Sequence, residues 1–339
     1  MMRRRVFSAT GIKKNISFFC TVFFSVALIA AVGSMIPSSI WASEEINTIR
    51  LVAARYVDDN ERPLSYPTTL AYDTTRDEII VTDAGKSQLV IFNNELFPTD
   101  SLDEGRGIVA VTSCLPHKDG LYVTCGSTEK GNGFIALVNP AFIVEKIIRI
   151  SEINPQLGKF TATRLVAGLN NRFYVLHIEK SAVSVFDHNW RYLHDIVPKD
   201  EKLGIAEPAP IQALDCDAQG NLYFLSEERG RVFVYDQHEK FLYKFGEKGG
   251  AERKLARPRG LAVDRNNDRL FIVDYLRHAV SAYSLKGNYL FEIGGKGDRP
   301  GWFLYPTDVT VDSQGNVYVS DTFNHRIQEF SITTQTRQE

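Results

Sequence analysis

The chain has 339 residues, 44% of them hydrophobic and 24% charged, with 39 Lys and Arg set against 41 Asp and Glu. That apolar content excludes a disordered chain, and a formal charge of −2 excludes the overall basic field that non-specific nucleic-acid binding needs. The length suits one large domain.

Residues 1–42 read as a secretory signal peptide or an uncleaved membrane anchor. Arg3, Arg4, Arg5, Lys13 and Lys14 form a basic head, Ile16 to Ile36 carries no charge, and cleavage is expected after Ala42. A run of about 20 apolar residues can also span a bilayer. In either case the basic residues before it, and Glu44 and Glu45 after it, place the rest of the chain outside the cytoplasm. The expected location is periplasmic or secreted, with membrane contact only through residues 16–36 if the segment is retained.

Ile46 to Val57 alternates like a strand, with Ile49, Leu51 and Ala53 on one face, and leads into the polar loop Asp58 to Pro63. Six similar units follow, at 67–93, 106–139, 163–187, 211–236, 258–284 and 306–331. Each has an alternating run, a turn, a β-branched and aromatic run, a second turn and a further alternating run. Asp83, Cys125, His177, Ser226, Asp274 and Asp321 mark the end of the second run in each unit, 42 to 52 residues apart. Outer strands are visible at Phe241–Gly246 and Tyr289–Gly294. A meander that cannot bury both its faces, repeated at this period, predicts an all-β fold: a six-bladed β-propeller of four-stranded antiparallel blades over residues 46–332. The sixth unit lacks a fourth strand, and the orphan strand Ile46–Val57 is expected to supply it and close the ring. Residues 333–339 are expected to fray.

The wording of the units, GLAVD then LFIVD in the fifth and DVTVD then GNVYVSDTFNHRIQEF in the sixth, resembles NHL repeats, a family of six-bladed propellers. The resemblance covers nearly all of the chain after residue 46 and fixes mainly structural residues. One NHL-like enzyme, a peptide-amidating lyase with a channel metal, carries Gly-Tyr-Cys after the second-strand Asp. Here Asp321 is followed by Thr322-Phe323-Asn324 and Asp274 by Tyr275-Leu276-Arg277, which counts against that activity.

In such a fold the starts of the innermost strands ring the central channel. Aligning the units puts Thr68, Arg106, Arg164, Gln212, Arg259 and Asp308 at that entrance, with Thr69 and Thr307 as the one-residue alternatives. Three arginines facing one opening would suit a carboxylate or another anion. The seven histidines show no metal-ligand spacing, no G-x-S-x-G elbow is present, and no catalytic residue is assigned. Asp274 and Asp321 are expected to accept hydrogen bonds from the turns after them. Cys114 is expected opposite Tyr122 and Cys125 opposite Val111, too far apart for a disulfide.

The function expected is a non-enzymatic scaffold, monomeric and without a cofactor, that binds a protein, peptide or glycan partner in the cell envelope and no nucleic acid. The alternative is a channel-centred lyase or hydrolase that uses a divalent metal. Fold analogy underlies both.

Overall fold

The computed structural model describes residues 44–126, 132–202 and 204–337. The signal or anchor segment read from the sequence, with its cleavage position after Ala42, lies outside the described residues.

The described chain forms six four-stranded antiparallel sheets. Their innermost strands are Pro67–Asp73, Val111–His117, Ala162–Ala167, Ala213–Cys216, Pro258–Asp264 and Asp308–Val311. Each packs beside the next and the last beside the first, so they form a closed ring, the six-bladed propeller expected from the repeats. All six marker residues end the second strand of their blade.

Six apolar cores lie between consecutive blades, and strand alternation explains how each blade feeds two of them. In the fifth blade, Leu270 and Ile272 point into the core shared with the fourth. The intervening Phe271 and Val273 point into the core shared with the sixth. Second strands are therefore buried on both faces and read as nearly continuous apolar runs. Between the second and third blades, whose markers are Cys125 and His177 instead of Asp, aromatic packing dominates. Phe173 stacks on Trp190 at 4.3 Å, with Tyr122 edge-on to both.

The ring closes through the N-terminal strand. Glu44–Arg55 pairs antiparallel with Arg326–Arg337 as the outermost strand of the sixth blade, with Ile49 opposite Ile332 and a bulge between Leu51 and Ala53. The strand of the sixth blade continues to Arg337, so residues 333–337 are paired with Glu44–Thr48 where fraying was expected. Their polar composition hid this, because an outermost strand exposes one face and its pairing is carried by backbone. Just inside the clasp, Arg326 is 1% exposed and its guanidinium donates to Asp321, to Tyr56 and to the carbonyls of Asp298, Arg299 and Trp302.

Two insertions were not anticipated. A short helix, Ile150–Ile153, and a 3-10 turn, Pro155–Leu157, precede the third blade. A hairpin of Lys199–Lys202 and Ile205–Pro208 precedes the fourth, pinned to it by buried Asp200, which pairs with Arg231 at 2.9 Å and Lys244 at 2.6 Å. They lengthen the marker spacing in that part of the chain. The cysteine register differs by one residue from expectation: Cys125 faces Val111, but a bulge between Val111 and Ser113 moves Cys114 opposite Val123. Cys114, Cys125 and Cys216 are free and buried, and burial pushes the Cys125 and Cys216 thiols up to about 11.

Candidate functional site

The starts of the inner strands open into a cavity of about 390 Å³ at one end of the channel, the mouth. Four of the six expected entrance residues bear on it as expected: Thr68, Arg164, Gln212 and Arg259 line it.

Arg106 does not. It ends a 3-10 turn, Glu104–Arg106, on the way into the second blade, where it is exposed and 3.8 Å from Asp100. The pair Arg106-Gly107 imitates Arg259-Gly260 in sequence. However, Asp103 caps the 3-10 turn and the inner strand begins only at Val111. The second blade presents Thr112 instead. In the sixth blade the lining residue is Thr307, the one-residue alternative, and Asp308 lies behind it, 0% exposed.

Asp308 nevertheless anchors a residue that lines the mouth. Its Oδ2 accepts from Arg164 Nη2 at 2.7 Å and from the Leu70 amide at 3.0 Å. Arg164 belongs to the third blade and Asp308 to the sixth, which stand opposite in a ring of six, so the pair bridges the channel. Arg164 also lines a second cavity, of about 440 Å³, reached from the other end. Arg164 thus stands between the two cavities. Burial pushes the Asp308 carboxyl up, against the pull of Arg164. Gly260 is required beside it: a Cβ there would collide with Asp308 Oδ1, 2.8 Å from the Asp308 Cα and 2.9 Å from the Thr307 carbonyl oxygen.

Hydroxyls stitch one side of the mouth. The Thr307 hydroxyl donates to the Thr68 carbonyl at 2.8 Å, and the Thr112 hydroxyl to the Ala162 carbonyl at 3.0 Å. The Thr69 hydroxyl lies 3.1 Å from the Thr112 carbonyl. Neighbouring blades are thereby joined from the sixth through the first and second to the third.

The opposite side is cationic and aromatic. Arg257 and Arg259 share one carboxylate, Glu227, at 2.7 and 3.1 Å. Both guanidiniums sit over the Tyr275 ring, 5.4 and 5.3 Å from its centre. Tyr275 packs on Tyr305 at 4.7 Å, and exposed Tyr66 meets exposed Phe323 edge-on at 5.5 Å across the join of the first and sixth blades.

The marker aspartates hold these walls. Asp83 accepts from the amides of Ser65 and Tyr66, Asp274 from Ala256 and Arg257, and Asp321 from Leu304. The residues that enter the same blade thus donate to each, and the expected donors from the turn after the strand are present as well: Leu276 and Arg277 to Asp274, and the Asn324 side chain to Asp321. Each carboxylate locks the loop that carries a mouth residue. In the third blade Glu179 takes over, accepting from the Thr161 amide at 2.9 Å.

The histidines are dispersed. His177 stacks on Phe160 at 4.2 Å and bonds Ser184, and His278 accepts from the Tyr305 amide; burial lowers the pKa of both. Among the described residues no three His, Cys, Asp or Glu side chains converge as a metal site would require.

Sequence reasoning missed Thr112, Thr163, Tyr66 and Tyr275. A signal for the first two existed, since Thr68-Thr69, Thr112, Thr163 and Thr307 recur just inside their units. No local signal marks the tyrosines, which come from different loops.

A family model described as NHL repeat matches residues 303–330, the sixth blade without its N-terminal strand. The protein brain tumor of Drosophila melanogaster is 31% identical over 99 residues, 28% of this chain and 10% of that protein. The chain therefore spans about a tenth of the length of the curated relative it matches. An auxiliary nutrient binding protein from Bacteroides thetaiotaomicron superposes with a TM-score of 0.60 at 11% identity, covering 85% of this chain and 77% of that one. Virginiamycin B lyase from Staphylococcus aureus superposes with a TM-score of 0.52 at 12% identity, covering 86% and 90%. At such identities the superpositions speak for the fold alone. The chain is a six-bladed β-propeller whose sixth blade matches an NHL repeat.

Proposed function

We propose that this propeller is an exported, monomeric binding module that holds a peptide or glycan partner of the cell envelope at the channel mouth, without catalysing a reaction. The observation that carries the reading is the pocket itself. It is lined by hydroxyls, an amide and aromatic faces, and the nearest carboxylates, Asp308 and Glu227, are both engaged by arginines. A general acid or base has to reach the proton it moves, and these two do not face the cavity freely. A concave site of a few hundred Å³ with a handful of oriented polar groups is what ligand pockets commonly look like. The nutrient-binding name of one structural neighbour is consistent with this reading, and the basic head and apolar run at the N-terminus support export.

The lyase name of another neighbour favours the alternative, a metal-dependent lyase or hydrolase. One experiment separates them. The full chain is applied to glycan and peptide arrays with chelator and again with magnesium, calcium or zinc, and retained ligands are analysed by mass. Binding that survives chelation and returns intact ligand is expected; metal-dependent conversion of a retained ligand would replace this reading with the enzymatic one.

A further inference from the structure

The chemistry of the mouth is lopsided in a way that narrows its ligand. On the side of the fourth and fifth blades, Arg257 and Arg259 share the single carboxylate of Glu227, so this wall carries one uncompensated positive charge. Nε of Arg259 lies 3.1 Å from Glu227, and among the described hydrogen bonds neither of its Nη groups has a partner. Those two Nη groups form the edge of a planar fork suited to a carboxylate. The Tyr275 ring beneath keeps the guanidinium in place.

The side made by the sixth, first and second blades is neutral. The protons of the Thr307, Thr68 and Thr112 hydroxyls go to backbone carbonyls, at 2.8, 3.3 and 3.0 Å. The Thr68 oxygen is left to accept, and those of Thr307 and Thr112 accept beside their contacts with Thr322 Oγ1 and Thr124 Oγ1, both at 2.7 Å. This wall therefore receives hydroxyl donors but offers no carboxylate to an ammonium group. Desolvating a cation there without a counter-charge would be costly. Tyr66 and Tyr275 supply flat apolar faces at the rim.

From these three features we infer that the mouth takes a saccharide bearing a carboxylate, a uronic-acid type of sugar. Its carboxylate sits on the Nη edge of Arg259, its hydroxyls donate to the threonine wall and its ring lies against tyrosine. A free amino acid matches the arginine but not the opposite wall, since its ammonium meets hydroxyls where a carboxylate would be needed. The inference rests on the mouth being the binding site and adds the class of ligand.

The test is calorimetric titration of the full chain with galacturonate, glucuronate and short oligogalacturonates. Galactose, glucose and neutral oligosaccharides form the second arm, and glutamate and a short peptide with a free carboxylate the third. Uronates are expected to bind at least about 10-fold tighter than their neutral counterparts, with an advantage that shrinks as salt is raised. Arg259→Gln should erase the advantage in protein whose melting curve shows it folded, and Arg259→Lys, which keeps the charge but not the fork, should retain part of it. Neutral sugars that bind as tightly as uronates would overturn the acidic-sugar inference and leave the binding module standing. Preference for glutamate or the peptide would overturn it equally. Failure of all three arms at millimolar ligand would remove both. Monomeric uronates that match the oligosaccharides in affinity would place the whole recognition on one sugar unit, as the arrangement of Arg259 and the threonines requires.

Discussion

Arg164 Nη2 lies 2.7 Å from Asp308 Oδ2, joining residues 144 apart in sequence and on opposite blades of the ring. The bridge ties two blades that otherwise meet only through their neighbours. Because Asp308 is 0% exposed, the pair should act as a buried one. Asp308→Leu strands the Arg164 guanidinium and the Leu70 amide and should lower unfolding stability by about 3–5 kcal/mol, whereas adding Arg164→Met to it should recover most of that loss. Urea unfolding of the two singles and the double would measure the coupling; additive losses would mean that the bridge does not form.

Gly260 gives a second handle on the same contact. Gly260→Ala places its Cβ 2.8 Å from the Asp308 Cα and 2.9 Å from the Thr307 carbonyl oxygen, both backbone atoms that no rotamer change can move. The fifth and sixth blades must separate, at a cost of about 1–3 kcal/mol. A fall in melting temperature larger than that of Gly250→Ala, where nothing lies within 4 Å of the added Cβ, is the expected result.

The clasp should be as important as any blade. Removing residues 44–55 exposes Arg326–Arg337 as an unpaired edge and takes its partner strand from the sixth blade. The truncated protein should aggregate or melt lower and less cooperatively. Calorimetry that gives the same transition as the intact chain would rule out this closure.

The clasp should also respond to pH. Glu329, 4% exposed and opposite Ala53, is pushed up to about 7 by burial and by the Asp312 carboxylate, against weaker pulls from Tyr318 and Arg55. Between the ordinary glutamate range and 7 the folded chain holds a proton that the unfolded chain has released. Stability from this group therefore falls as pH rises through that window. At about 1.4 kcal/mol per pKa unit, the loss is on the order of 3 kcal/mol by pH 8. Glu329→Gln should flatten the slope between pH 5 and 8, as read by denaturant unfolding, and the native chain should be the less stable of the two at pH 8.

The ring was legible because repetition samples the same physics six times. The run-and-turn order of each unit located every second strand, and the missing strand after Phe330 pointed to Ile46–Val57. The mouth was legible where the aligned position falls at the start of an inner strand. Arg164, Gln212 and Arg259 stand at the aligned position, but the 3-10 turn before Val111 displaced the reading from Thr112 to Arg106. Asp308 was placed at the opening although it lies behind Thr307, since a strand's two faces differ by one residue and the sequence there does not say which faces the channel. The Tyr66–Phe323 and Tyr275–Tyr305 contacts join residues from loops far apart in the chain, and local patterning carries no record of such pairs.

The central claim is that recognition occurs in the mouth beside Arg164. Gln212 is exposed there and pairs only through its backbone, its amide donating to the Leu225 carbonyl at 2.7 Å, so Gln212→Trp should fill the cavity without disturbing the ring. The most direct measurement compares the native chain and Gln212→Trp on the same glycan and peptide arrays, with melting curves recorded for both. Loss of the native chain's binding signals at an unchanged melting temperature is expected. Signals retained by a folded Gln212→Trp protein would place recognition elsewhere on the propeller and contradict the account.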